Sequence, residues 1–261
     1  MLQRLLILIF FAHAAVAHAQ EWEAGLQGGA SGYMGDLNPE NPLAFNDWSA
    51  GVFIKYNFDH TWGLRGNFAY ANLFAHDAYS NVQQRQNRYL GFFGAVKEAS
   101  LLVDFNFFKW LPQRGRIVYT PYIFAGIGGI LFEPKWRNAS GNDVKLRHYY
   151  TEGMIYQNRA VTIPFGAGFK YNLRGPWSIG VELGYRLALT DYLDDVSGEY
   201  FDYDDLGSYA PVPRADWTLI ANPSNAPIGS QRGDGRPYDS FMTVGITLSY
   251  TFFKGGCPEW R

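Results

Sequence analysis

Cysteine is nearly absent. Cys257 is the one thiol in 261 residues, which excludes an internal disulfide framework and any cysteine-rich zinc site. Long apolar runs are missing too: after Ala19 no stretch approaches the ~20 residues that a membrane-crossing helix needs. Mean hydropathy is −0.20 although 47% of the residues are hydrophobic, so apolar and polar residues must be finely interleaved, which argues against a helical membrane protein. Charge of one sign is also lacking. Lys and Arg number 22 against 24 Asp and Glu, a formal charge of −2, and no global field points to nucleic acid. The histidines beyond residue 19, His60, His76 and His148, are scattered. They suggest neither a catalytic constellation nor a metal site.

What is abundant is the very large and the very small. The chain holds 8 Trp, 18 Tyr and 20 Phe beside 29 Gly, a mixture suited to a sheet rather than a helix bundle. Its length fits one large β domain. Residues 1–19 have the three-part pattern of a secretory signal: Arg4, the apolar run Leu5 to Ala12, and Ala17-His18-Ala19 before Gln20. No Cys follows the expected cleavage point, so a lipoprotein anchor is not expected. The mature chain would carry 21 basic against 24 acidic residues, since the leader removes only Arg4.

Segment after segment then alternates with period two, the strand signature. Trp48, Ala50, Val52, Ile54, Tyr56 and Phe58 share one face, with Ser49, Gly51, Phe53, Lys55 and Asn57 on the other. Val161 to Leu173, Trp177 to Thr190 and Met242 to Phe252 repeat the pattern, and weaker versions run over Trp22 to Met34, Trp62 to Asn72, Ala99 to Lys109 and Val118 to Phe132. The eight candidate strands are joined by connections that alternate long and short. A transmembrane barrel explains this, because one rim carries tight periplasmic turns and the other carries extended outer loops.

Polarity separates that barrel from a soluble sandwich or lipocalin. The polar faces are rich in Gly and Ser, their charges roughly balance, and aromatic pairs such as Trp48 and Phe58, Trp62 and Tyr70, or Trp177 and Tyr185 stand near strand ends like membrane girdles. The predicted fold is all-β, an eight-stranded antiparallel transmembrane β-barrel over 20–253, followed by a periplasmic tail over 254–261. Eight strands leave a lumen only wide enough for side chains. Lys55, Arg65, Asp104, Lys170, Glu182 and Arg186 are therefore expected to form a packed polar plug and not to line a diffusion pore.

Chemistry is sparse. No catalytic, cofactor-binding or metal-ligating set is legible, and no cofactor is expected. Gly126-Ile127-Gly128-Gly129 and Gly166-Ala167-Gly168 look like phosphate loops but lie within strands and lack a following helix, so close packing is the reading adopted. The last long loop interleaves Asp191, Asp194, Asp195, Glu199, Asp202, Asp204 and Asp205 with Tyr192, Tyr200, Phe201 and Tyr203. It is open to three readings: a solvated loop, a weak calcium site outside the EF-hand pattern, or a partner-binding platform built on residues such as Asp191, Tyr192, Asp194 and Asp195. Arg232-Gly233-Asp234 is read as a chance tripeptide. Cys257, on the tail Lys254 to Pro258, suggests an interchain disulfide or tail-mediated contact against an inert thiol.

Four strings carry a family likeness: Tyr33-Met34-Gly35-Asp36-Leu37-Asn38, Thr120 to Gly128, Gly184-Tyr185-Arg186 with Thr190-Asp191-Tyr192-Leu193-Asp194-Asp195-Val196-Ser197, and Gln231-Arg232-Gly233-Asp234 before the last strand. With them the mature chain resembles the PorG family of outer-membrane barrels of the type IX secretion system. The resemblance implies a non-enzymatic component that ties a periplasmic ring of the PorK and PorN type to the outer membrane, with outer-membrane lipid around the barrel and Cys257 as a candidate ring contact. It supplies no catalytic residues. A structural or adhesive small barrel of the OmpA or OmpX kind is the alternative, and a lipid-modifying barrel enzyme a third reading.

Overall fold

The computed structural model describes residues 21–39, 41, 43–110, 118–138 and 140–252. The expected leader and the tail with Cys257 lie outside the described residues. The strands are β1 Glu21–Met34, β2 Asp47–Asn57, β3 Trp62–His76, β4 Gly91–Asn106, β5 Tyr119–Arg137, β6 Asp143–Lys145, β7 Arg159–Arg174, β8 Trp177–Ala188 and β9 Ser240–Phe252. All pairings are antiparallel; the order β4-β3-β2-β1-β9-β8-β7-β5 closes through a β4–β5 ladder into an eight-stranded barrel. β6 only extends the protruding end of β5 as a three-residue partner. Closure leaves the barrel no open sheet edge, the condition for strands to sit in hydrocarbon. No helix among the described residues is long and apolar enough to cross a membrane.

The outer wall shows where the bilayer lies. At the tight-turn rim each barrel strand turns an aromatic outward: Trp22, Tyr56, Trp62, Phe105, Tyr119, Tyr171, Trp177 and Tyr250. Neighbours touch edge to face or tilted, with Trp22 and Tyr56 at 4.9 Å, Trp62 and Phe105 at 4.8 Å, and Trp177 and Tyr250 at 5.1 Å. A second level is marked by the stacked pair Trp48 and Tyr70 at 5.2 Å, by Phe165 with Tyr185 at 5.1 Å, and by Lys97 opposite Tyr70. Between the levels, outward positions such as Leu26, Val52, Phe68, Leu101, Ile127, Val181 and Ile246 are apolar and exposed. From Tyr56 to Trp48, Trp62 to Tyr70 and Trp177 to Tyr185 the chain spans 9 residues inclusive, the length of a tilted transmembrane strand, roughly 9–11 residues. The barrel is thus inverted in polarity and transmembrane.

Three strands run past the second level and differ from the expected bounds. β3 continues to His76, β4 begins at Gly91 rather than near Ala99, and β5 continues to Arg137. The physical reason is a change of solvent. Above the bilayer the inward residues Ala71, Leu73, Ala75, Phe92, Val96, Ile130 and Phe132 are buried and apolar, while Glu133 and Lys135 point the other way. An apolar-outward rule loses the strand at that point. The protruding wall supports a cap made of the long loops, with one core cluster joining it to Leu37, Leu90, Leu146, Leu193, Val196 and Leu206.

The helix Arg214–Ala221 turns Trp217, Ile220 and Ala221 into this core. Asp216 in its first turn suits the helix dipole, and Pro223 shortly after Asn222 prevents its continuation. Trp217 Nε1 donates to the Tyr149 carbonyl at 2.7 Å.

Candidate functional site: a plugged lumen under a folded cap

Alternation sends every second strand residue into the lumen, so the expected plug residues are buried together. Lys55 Nζ lies 3.0 Å from Glu23 and 3.4 Å from Asp104; Arg65 reaches Asp104 at 3.2 Å and Glu182 at 2.6 Å. Tyr122 donates its hydroxyl proton to Glu182 at 2.8 Å. Arg186 pairs with Glu98 at 3.3 Å and also donates to Thr243. Lys170 stands over the rings of Trp110 at 4.6 Å and Tyr122 at 5.4 Å. These groups comprise four basic side chains, Lys55, Arg65, Lys170 and Arg186, and four acidic ones, Glu23, Glu98, Asp104 and Glu182.

Geometry makes this set a plug. Arg65 on β3 and Glu182 on β8 stand four strands apart in an eight-strand ring, so their pair crosses the full lumen. Glu98 and Arg186 make a second brace from β4 to β8. Both braces are desolvated, with side chains at most 8% exposed. Glu23, Glu98 and Tyr122 were absent from the sequence-based set. Glu98 falls one residue before the expected strand start at Ala99. Glu23 sits at an inward position of β1, beside the outward Trp22, and strict alternation from Trp22 would have found it.

Gly166 allows the close packing expected of it. At Gly166 a Cβ would collide with the Leu183 carbonyl and lie 2.5 Å from the Phe124 ring. Gly129, by contrast, has open space around its Cβ position and faces outward.

The cap corrects the reading of the acidic loop. Asp194 and Asp195 are each 1% exposed, so they hold the loop from inside and present no contact surface. Asp195 accepts from Thr151 and Tyr156, each at 2.7 Å, and lies 3.5 Å from Arg232. Burial pushes its carboxyl up to about 6, with Arg232 opposing. Arg232 is itself buried, reaching Glu152 at 2.7 Å and the Asp195 carbonyl at 2.5 Å; the Arg-Gly-Asp string is not displayed. Asp191 and Tyr192 are half-buried, and the Tyr192 ring stacks on Tyr156 at 4.5 Å. His76 is no free loop residue either: it ends β3 and its Nδ1 accepts from the Ala78 N–H at 2.9 Å.

A second group was not foreseen. The Tyr33 hydroxyl lies 2.7 Å from Asp194 Oδ2 and 2.7 Å from Asp239 Oδ1. It has one proton to donate, so one of those carboxyls must carry a proton of its own. Burial, followed by the charges of Asp239 and Asp36, holds the Asp194 carboxyl well above its usual value. Asp239 is pushed up to about 8, chiefly by burial. Asp36, 1% exposed, accepts from the Asp234 N–H. Arg88 fastens this region, bidentate on Asp77 at 2.7 Å and donating to the carbonyls of Arg232 at 2.5 Å and Asp36 at 3.0 Å.

Comparison with known families matches residues 2–225 to the model described as "Domain of unknown function (DUF6089)". No curated protein matches the chain. Among solved structures, it is similar to the N-terminal β-barrel domain of OprF from Pseudomonas aeruginosa, at 12% identity and TM-score 0.39 over 90% of this chain and 100% of that one. It is also similar to Neisserial surface protein A, at 6% and 0.46 over 88% and 97%. A major outer membrane protein from Thermus thermophilus gives 13% and 0.45 over 90% and 100%. The strand count and closure stand on the register described above.

Proposed function

The chain belongs to the DUF6089 family, and from that premise and its geometry we propose that it is a non-enzymatic structural component of a bacterial outer membrane, a sealed barrel that displays a folded outer cap. The carrying observation is the brace from Arg65 to Glu182 across the lumen, directly beneath the apolar core of the cap. A barrel blocked by charge pairs and then by a second core conducts nothing. What it supplies is an anchor and a rigid surface, suited to a structural or adhesive role. The aromatic row on all eight strands supports a bilayer location, and closed barrels of this size with long loops on one rim are the outer-membrane type.

The test is twofold. The purified protein in planar bilayers should show no steady conductance, and protease added to intact cells should cut the cap while leaving the barrel in the outer-membrane fraction. Steady channels, or recovery in the soluble fraction, would refute the reading.

A narrower reading, attachment of a type IX periplasmic ring, rests on the resemblance to the PorG family. Three of the strings that resemble PorG converge in the cap, where Tyr33 contacts Asp194, the Asp234 N–H donates to Asp36, and Arg232 contacts Asp195. The resemblance therefore follows a structural knot and not scattered positions. In this reading the periplasmic face, with the Cys257 tail, contacts PorK- and PorN-type ring proteins. Affinity isolation from mild-detergent membranes should recover ring proteins, and deletion should stop secretion. Intact secretion with no ring proteins recovered leaves the broader role standing and ends the narrower one.

A further inference from the structure

The acids under the cap are arranged in a way the sealed-barrel role does not require. One carboxylate oxygen from each of Asp36, Asp191 and Asp239 lies within 4.8 Å of the other two. Calcium binds oxygen ligands at about 2.3–2.6 Å, so ligands on opposite sides of one ion stand up to roughly 5 Å apart. All three oxygens can therefore reach a single ion. Among the described residues, no Lys, Arg or His pairs with any of these carboxylates.

A second observation falls on a member of the cluster. Asp36 Oδ1 takes the Asp234 N–H, whereas Asp36 Oδ2 is sealed from solvent and has no hydrogen-bond partner. A carboxylate oxygen buried without a donor is costly, and a cation supplies the missing partner. Asp239 is held in place by the Leu193 N–H at 3.0 Å and the Tyr33 hydroxyl. Asp191 is half-exposed, which leaves an entry path and room for waters to complete the coordination.

We propose that Asp36, Asp191 and Asp239 form the protein half of a calcium site that staples the loop after β1 to both ends of the loop between β8 and β9. The hard oxygen donors select calcium over softer transition metals. Each carboxyl sits above its ordinary value, Asp36 and Asp239 at about 8 and Asp191 at about 6, with burial the largest cause, so the cation competes with protons for the same oxygens.

The test titrates calcium chloride into the folded, chelator-treated full-length protein in detergent at pH 8, read by calorimetry and by protease resistance of the cap. One saturable site per chain is expected, with Kd on the order of 0.1–1 mM as in extracellular modules. Asp36→Asn should weaken it at least tenfold. Asp202→Asn, in the same long loop but outside the cluster, should leave it unchanged. The barrel's heat-modifiable migration on gels verifies that each variant is folded, and the wild-type titration is decisive without any variant. Absence of a saturable site in the wild type, or equal affinity in folded Asp36→Asn, overturns the proposal and leaves the cluster as carboxylic acids sharing protons.

Discussion

Arg65 is the residue on which the lumen turns. Its guanidinium joins Asp104 and Glu182 and stacks over the Phe124 ring at 4.7 Å. Asp104 keeps Lys55 if Arg65 is lost, but Glu182 keeps only the Tyr122 hydroxyl. Arg65→Met should therefore lower stability by about 3–5 kcal/mol, the usual consequence of leaving a buried charge without its partner. Urea unfolding in detergent measures this. Adding Glu182→Gln to the same chain should recover part of the loss, because it removes the stranded charge; a strictly additive double variant would show that the two side chains do not act as a pair.

At the scale of elements, the loop between β8 and β9 behaves as a small soluble core fastened by buried acids. The sign of its pH response follows from the carboxyls. Asp195 is raised from 3.8 to about 6, so the folded cap binds that proton more tightly than the unfolded loop does. Its stabilising contribution is complete below about pH 4 and is lost as pH rises through 6. Asp36 and Asp239, raised to about 8, act in the same direction over a wider window. With calcium chelated, hydrogen exchange corrected for its intrinsic pH dependence should show the loop best protected near pH 4–5 and progressively less so toward pH 8. Asp195→Asn should flatten the part between pH 4 and 6, while the barrel strands keep their protection throughout.

For the molecule as a whole, two cores of opposite character share one wall. Within the bilayer the interior is charged and the exterior apolar; above it the interior is apolar. The charge pairs of the lumen involve no cap residue, so the barrel should close without the cap. Replacing 195–235 by a short Gly-Ser linker is expected to leave a heat-modifiable barrel but to uncover Leu73, Phe92, Ile130 and Phe132, giving strong binding of a hydrophobic dye and aggregation at the long-loop rim. A chain that no longer shows the heat-modifiable shift would mean that the cap is needed for closure.

The sequence by itself determined the strand count, the inverted polarity and all six expected plug residues. Period-two alternation across a bilayer is a one-dimensional signal: each residue reports its own face without reference to any partner. It also placed the acidic run on the last long loop, yet it could not show that Asp194 and Asp195 face inward, because their partners Tyr33 and Thr151 are 161 and 44 residues away. Tertiary structure alone decided which charges meet across the lumen, how far β3, β4 and β5 extend beyond the bilayer, and that Asp36, Asp191 and Asp239 converge. Closure of the barrel brings together groups more than 100 residues apart, and above the membrane the change of solvent reverses the polarity pattern from which the strands were read.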